Sequence, residues 1–211
     1  MSSKAEVFKE WDNHLLNDSK PSVYFNEIKN NNMLNEHPLS MLKKLEDTPQ
    51  SEKYHPEGSV WNHTMMVLDV AADKKRLSKN PRVFMWAALL HDIGKPSTTK
   101  VSKKKITSYN HDSIGAKLAR EFLVEFTDDN KFIDEVCILV RWHMHLLFVV
   151  KDLPFAKIDE MLSETTVEEL ALFGTCDRLG RGNMSEEKIK EEDKNIEIFI
   201  KKCKQHLQNK K

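Results

Sequence analysis

The chain is predicted to be all-α, a helical bundle that admits one small β-hairpin near residues 98–109. Three observations predict this. Apolar residues recur at spacings of three, four and seven through most of the 211 residues. Breakers interrupt the pattern at 49–58 (PQSEKYHPEG) and again at Gly94 and Pro96. Thr, Val, Ile and Tyr gather around a lysine run only between Thr98 and Tyr109.

In order along the chain, residues 4–17 place Val7, Phe8, Trp11 and Leu15 on one helical face, and 23–46 form two short helices separated by Asn30, Asn31 and Asn32. Beyond the 49–58 loop, helices follow at 59–77 and 82–93, the second ended by Gly94 and Pro96. Residues 98–109 read either as a hairpin or as an irregular loop. Helices resume at 111–127, 130–147, 155–163 (opened by Pro154) and 166–179. Asn183 followed by Glu186 resembles a capping box for a last helix to about 207, striped by Ile189, Ile196, Ile200, Cys203 and Leu207. That stripe either packs on the rest of the chain or forms the seam of a homodimer. Chain length and the lack of a composition shift predict one domain, 1–211: N-terminal helices and loop at 1–58, a core at 59–182 and a C-terminal helix at 183–211.

Charge and cysteine usage narrow the class. The 33 basic and 33 acidic residues cancel, so the whole-protein field gives no reason for tight nonspecific binding to nucleic acid or anionic lipid. Cys137, Cys176 and Cys203 are odd in number, widely spaced and form no CxxC pair, which fits core thiols in a reducing compartment. There is no signal-peptide hydrophobic region, and apolar runs such as 136–140 are too short for a bilayer. A soluble, cytoplasmic protein without a membrane partner is expected.

The polar residues that break the apolar faces carry the functional signal. His63 shares a face with Met66, Val67 and Val70; His91 aligns with Val83, Ala87 and Leu90, and Asp92 follows it in the last turn. His111 is in register with Ile114 and Leu118, His143 with Phe132, Val136, Leu139 and Val140, and Asp177 with Leu170 and Gly174. A lone inward histidine is more often hydrogen-bonded to a backbone carbonyl than a ligand. Four histidines and two aspartates on the inward faces of five helices are a different matter, because buried carboxylates and unpaired imidazoles cost several kcal/mol unless satisfied. A divalent cation satisfies all of them together, and imidazole beside carboxylate suits Mn, Fe, Ni, Co or Zn better than Ca.

His63, then the pair His91-Asp92, then Asp177 resemble the ligand order of the HD-domain superfamily of metal-dependent phosphohydrolases. The motifs carrying the resemblance are NHTMMVLDVAA at 62–72, WAALLHDIGKP at 86–96 and CDRLGRG at 176–182. PQSEKYHPEGSVWNHT at 49–64 and ITSYNHDSIGAKLAREFL at 106–123 are similar to the HD domain that follows the catalytic head in bacterial CCA-adding tRNA nucleotidyltransferases, and the similarity spans 21–182. Two departures stand out. None of the six glycines are adjacent, so the Gly-Gly motif of the nucleotidyltransferase head is missing and nucleotide addition is not expected. RWHMH at 141–145 replaces the relatives' paired histidines, which puts the usual ligand at His143 and leaves the role of His145 open. Residues two apart on a helix point about 200° apart, so His145 falls off the stripe with Ile138 and Trp142 unless the helix frays first.

The resemblance implies an HD helical bundle with a metal-binding core at 59–182 and one or two divalent ions (Mn, Ni, Co, Fe, Mg or Zn). His63, His91, Asp92 and Asp177 would hold the first ion, and Asp92, His111 and His143 the second, with Asp92 bridging. It further implies hydrolysis of phosphomonoesters or phosphodiesters of nucleotides or RNA ends, with 2′,3′-cyclic, 2′- or 3′-phosphates, by a metal-activated hydroxide. Asp92, Lys95 and His111 are the catalytic candidates; with a single ion, His111 would instead contact phosphate or act as acid or base. Lys95 either meets the phosphate or completes a helix dipole. Arg178 and Arg181 either bind phosphate or form surface salt bridges, and His55 and Glu57 would border the pocket. Lys100, Lys103, Lys104 and Lys105 either guide an RNA end or form a solvated loop. The alternative to an enzyme is a noncatalytic nucleotide-sensing or assembly module using the same pocket.

Overall fold

Helix α5 (Pro81–Leu90) is buried on every side from Val83 to Leu90, as an all-round apolar helix must be, and the other helices are arranged about it. The protein was studied as a computed structural model that describes residues 3–103 and 105–209. Before α5 come α1 (Lys4–Asn17), α2 (Pro21–Asn30), the single turn α3 (Ser40–Lys43) and α4 (Val60–Lys74), which runs on into a 3-10 turn at Lys75–Leu77. Beyond α5 lie the short α6 (Lys95–Thr98), strands β1 (Thr99–Ser102) and β2 (Lys105–Ser108), α7 (His111–Leu123), α8 (Asn130–Trp142) and α9 (His145–Val150). The chain closes with α10 (Ile158–Glu164), α11 (Val167–Leu179) and α12 (Glu186–Gln208). An all-helical bundle with one small hairpin is thus the fold.

Polar caps set the starts of these helices. Ser3 and Glu6 form a full capping box on α1, while Ser59, Asn80, Asp129 and Thr166 accept backbone N–H groups at the starts of α4, α5, α8 and α11. The strands pair antiparallel with Thr99 opposite Ser108 and Ser102 opposite Lys105, so the hairpin reading holds. Lys104 lies outside the described residues.

Several boundaries differ from the periodicity reading. The helix expected over 82–93 ends at Leu90, and the one expected over 111–127 ends at Leu123. The helix expected over 130–147 divides, α8 stopping at Trp142 and α9 starting at His145, although His143 and Met144 keep right-handed helical angles. Pro96, read as a terminator, also opens α6, because a proline near a helix start gives up an N–H that has no partner there anyway. Helix α12 is capped by Ser185, whose side chain accepts from Lys188 N–H, and not by Asn183, which adopts a positive φ of 56°. Met66 faces outward, so the face that buries His63 is completed by Val67 and Leu68.

The core is aromatic near the N-terminus: Trp11 packs edge-on to Phe25 and stacks on Trp86, and Trp86 lies against Phe8. Trp86 Nε1 donates to Asp12 and Trp61 Nε1 to Asn26, so both indole donors are satisfied. Helix α12 lays Phe199 and Cys203 against α11 and α9, which uses its apolar stripe within the chain. No helix among the described residues is long and apolar enough to cross a membrane.

Two close backbone approaches bring the site together. A Cβ on Gly94 would lie 2.2 Å from the His111 carbonyl oxygen and 2.7 Å from Gly115 N, so glycine lets the segment after Asp92 rest directly on the first turn of α7. A Cβ on Gly180 would lie 2.6 Å from Val67 Cα, so glycine seats the end of α11 on α4 beside His63.

Candidate metal centre

The six residues picked out by their inward placement come from five places: His63 from α4, His91 and Asp92 from the end of α5, His111 from the first turn of α7, His143 from the end of α8 and Asp177 from α11. All six are buried. His91, His111 and His143 share one local device. Each turns Nδ1 onto a carbonyl three residues back, those of Ala88 (2.8 Å), Ser108 (2.6 Å) and Val140 (2.7 Å). A carbonyl only accepts, so the ring hydrogen sits on Nδ1 and, in the neutral ring, Nε2 presents a lone pair.

Those three lone pairs converge on Asp92. Its Oδ1 is 3.4 Å from His111 Nε2 and 3.8 Å from His143 Nε2, and its Oδ2 is 3.3 Å from His91 Nε2 and 3.9 Å from His63 Nε2. His111 Nε2 and His143 Nε2 face each other at 3.2 Å. His91 Nε2 and both Asp92 oxygens are buried and make no hydrogen bond among the described residues. Lone pair against lone pair and carboxylate is unfavourable unless a cation enters, and Lys95 Nζ, 2.7 Å from Asp92 Oδ2, supplies one as an ion pair. Gln50 Oε1 holds the same ammonium at 2.6 Å. Neither Gln50 nor this link was anticipated, for no local pattern joins positions 45 residues apart.

The donor atoms fall into two sets sharing Asp92, namely His63, His91 and Asp92, and Asp92, His111 and His143, with ligand atoms within 4.8 Å of one another in each. These buried groups are able to hold a divalent metal: they combine imidazole and carboxylate, present free lone pairs and have orienting hydrogen bonds behind them. Asp177 joins through His63, its Oδ1 lying 3.0 Å from His63 Nε2. His63 Nδ1 meets the Gly180 carbonyl at 3.1 Å and Glu57 Oε1 at 3.0 Å.

Charge inside the site follows from these contacts. Burial pushes the Asp92 carboxyl up, but Lys95, His91 and His111 outweigh it and hold the group well below the usual carboxylate range. Burial, then the neighbouring His111 and His91, press His143 down to about 4, and burial also lowers His111 despite Asp92. For His63 burial is outweighed by Asp177 and Glu57, which raise it, and Asp177 is correspondingly held low by His63 and Arg181 against its own burial.

Other candidates lie in two further places. Arg178 and Arg181 are not surface groups: their side chains are 12% and 18% exposed and reach Glu192 of α12 at 3.5 Å and 4.0 Å. Lys100, Lys103 and Lys105 are exposed on the hairpin. That hairpin and the 46–53 loop enclose a groove of about 700 Å³ whose lining includes Gln50. His145 is buried but separate from the cluster; its ring packs edge-on to Trp142 at 4.5 Å, and neither nitrogen has a hydrogen bond among the described residues. Its exclusion by helix geometry therefore meets a different circumstance, since the helix breaks at 143–144 and His145 is redirected toward Trp142 and Phe148. His55 and Glu57 do border the site, with Glu57 Oε1 2.9 Å from His55 Nδ1.

A helical body with a buried pair of histidine and carboxylate donor sets defines a helical protein able to hold a metal. Residues 60–158 match the family model described as HD domain. Among curated relatives, the multifunctional CCA protein of Actinobacillus pleuropneumoniae serotype 5b is 32% identical over 102 residues, 48% of this chain and 24% of the relative. That of Hahella chejuensis is 31% identical over 131 residues, 62% of this chain and 29% of the relative. That of Halorhodospira halophila is 35% identical over 107 residues, 51% of this chain and 24% of the relative. The chain thus matches only about a quarter of the length of these proteins, in agreement with a CCA-like HD region.

Proposed function

We propose that this protein is a metal-dependent phosphohydrolase that cleaves phosphomonoesters or phosphodiesters of nucleotides or RNA ends, those bearing 2′,3′-cyclic, 2′- or 3′-phosphates. The observation that carries the reading is the convergence of the His91, His111 and His143 Nε2 atoms on Asp92, a buried carboxylate paired with the Lys95 ammonium. His63, His91, Asp92 and Asp177 would hold one ion, and Asp92, His111 and His143 would hold a second where two bind. Bound there, a divalent ion polarises phosphoryl oxygens and makes water a stronger nucleophile at neutral pH.

The chain's own residues supply positioning and charge. Asp92 is the group common to both donor sets. Lys95, buried and steered by Gln50, neutralises charge on the phosphoryl group, and in so enclosed a place its charge is little screened. Arg178 and Arg181 remain candidates for phosphate contact only by giving up Glu192, the carboxylate both reach in this structure. His111 keeps its proton on Nδ1 through the Ser108 carbonyl, which leaves the Nε2 lone pair to take a metal or a proton. Similarity to multifunctional CCA proteins supports an RNA-end or nucleotide substrate, and the exposed Lys100, Lys103 and Lys105 support an anionic one. Cys137, Cys176 and Cys203, all free and buried, support placing the protein in the reducing cytoplasm.

The test is hydrolysis of 2′,3′-cyclic AMP, 3′-AMP, 5′-AMP and a generic phosphodiester by chelator-treated protein reloaded with Mn, Co, Ni or Mg. Metal-dependent turnover of the cyclic and 3′ substrates is the expected result. Stoichiometric metal binding with no turnover of any of them would move the assignment to a nucleotide-sensing module.

A further inference from the structure

We propose that Glu57 is a positioning residue of the metal centre: it holds His63 in the tautomer and orientation that leave Nε2 free as a ligand. The proposal rests on the metal-binding reading above. Glu57 sits in the loop before α4, yet its side chain is only 3% exposed and both oxygens are engaged. Oε1 accepts from His63 Nδ1 at 3.0 Å and from His55 Nδ1 at 2.9 Å, and Oε2 accepts the Gly182 N–H at 3.0 Å. The Gly180 carbonyl faces the same His63 nitrogen at 3.1 Å.

Carboxylate and carbonyl oxygens only accept, so Nδ1 of His63 carries a hydrogen, shared between Glu57 and Gly180; Nε2 faces the Asp177 carboxylate at 3.0 Å and is the nitrogen that gives up its hydrogen when an ion is bound. A flipped ring would bring carbon to both acceptors and lose both bonds. Glu57 also ties together three parts of the chain: its own loop, α4 through His63, and the turn after α11 through Gly182. The last of these follows Asp177, whose carboxylate must stay 3.0 Å from His63 Nε2. One buried carboxylate thereby sets the spacing between two candidate ligands from distant parts of the sequence.

His55, Glu57 and His63 also bring their donor atoms within 4.8 Å of one another, the spacing of a separate metal site. Two facts weigh against that use. His63 Nδ1 is already committed to a carbonyl, and the second Glu57 oxygen to a backbone N–H. An orienting hydrogen-bond set behind a ligand accounts for both.

The experiment uses the full chain, stripped by chelator, with Zn(II) and Mn(II) binding measured by calorimetry on the wild type, Glu57→Gln and His55→Asn, and helix content followed by circular dichroism. In Glu57→Gln either amide orientation sets an NH2 group against an N–H, so at least one of the three bonds is lost. Its metal affinity should fall about 10–100-fold with helix content kept, while His55→Asn, which leaves the Glu57–His63 bond in place, should stay within about threefold of wild type. Wild-type affinity in Glu57→Gln overturns the proposal and leaves the metal centre standing. Failure of the wild type to bind either ion overturns both. Should Glu57→Gln not fold, the proton-detected nitrogen spectrum of the zinc-loaded wild type decides, with His63 assigned through His63→Asn: hydrogen on Nδ1 supports the proposal and hydrogen on Nε2 overturns it.

Discussion

Asp92→Asn should remove metal-induced stabilisation almost completely, because Asp92 is the one side chain common to both donor sets. The size of the effect follows from mass action. A ligand present at 100 times its Kd stabilises by about 2.7 kcal/mol, and for a chain of this length each kcal/mol moves Tm by roughly 2–4 °C. Wild-type protein should therefore gain about 5–11 °C under that condition. If loss of the shared carboxylate weakens binding about 100-fold, the same metal concentration equals the variant's Kd, and the gain shrinks to about 0.4 kcal/mol, or roughly 1–2 °C. Without metal the change is mixed. Lys95 loses the charge of its partner at 2.7 Å but keeps Gln50, while the new amide can donate to the His91 or His111 Nε2 lone pairs. The quantity to compare is therefore the metal-dependent increment, measured by scanning calorimetry on chelator-treated samples titrated with Mn, Co, Ni and Zn. An equal increment in both proteins would refute the shared-carboxylate reasoning.

Three further outcomes are expected. Gly94→Ala should lose about 1–3 kcal/mol of stability by urea denaturation, since its methyl would meet the His111 carbonyl and Gly115 backbone and nothing there can yield without shifting α7; an unchanged midpoint would contradict the close approach. His145 is pressed down to about 4 by burial first and by Arg141 second, so its folded value lies below its ordinary one. The neutral ring then favours folding fully above about pH 6.5, and that contribution is lost as pH falls toward 4. Metal-free His145→Leu should accordingly lose less stability than wild type across that window, by about 1–2 kcal/mol after allowance for solvent screening. Parallel pH profiles would count against it. Cys176 and Cys203 are pushed up to about 12 by burial, so both should resist an aromatic disulfide reagent in the native protein and react on unfolding; fast native reaction at either would contradict their enclosure.

The parts of this protein that were legible from sequence are those governed by local spacing. Helical periodicity places side chains on a face whatever the chain does next, which is why His63, His91, His111, His143 and Asp177 could be read as inward-facing. What periodicity lacks is any signal for a break that needs neither Gly nor Pro. The run from Phe132 to Val149 stays apolar on one side, yet α8 and α9 are separate, and His143 and His145 are sent to different interiors. The Met66 error has a similar origin: both three and four residues are allowed spacings, and only packing chooses between Met66 and Val67.

Contacts between distant segments were beyond reach for another reason. Gln50 with Lys95, and Glu57 with His63 and Gly182, join loops to helices with no shared period, and their polar side chains would read equally well as solvated. Their burial results from two glycines that bring backbones together, Gly94 on α7 and Gly180 on α4. This order of causes explains the division of labour in the site. His91, His111 and His143 can be recognised singly because each is held by a carbonyl three residues away, a local device. The acids and Lys95 take their meaning from tertiary neighbours, so perturbations at Asp92, Glu57 and Lys95, and not at the histidine backbone contacts, are the ones that separate a built metal centre from a chance cluster of buried polar groups.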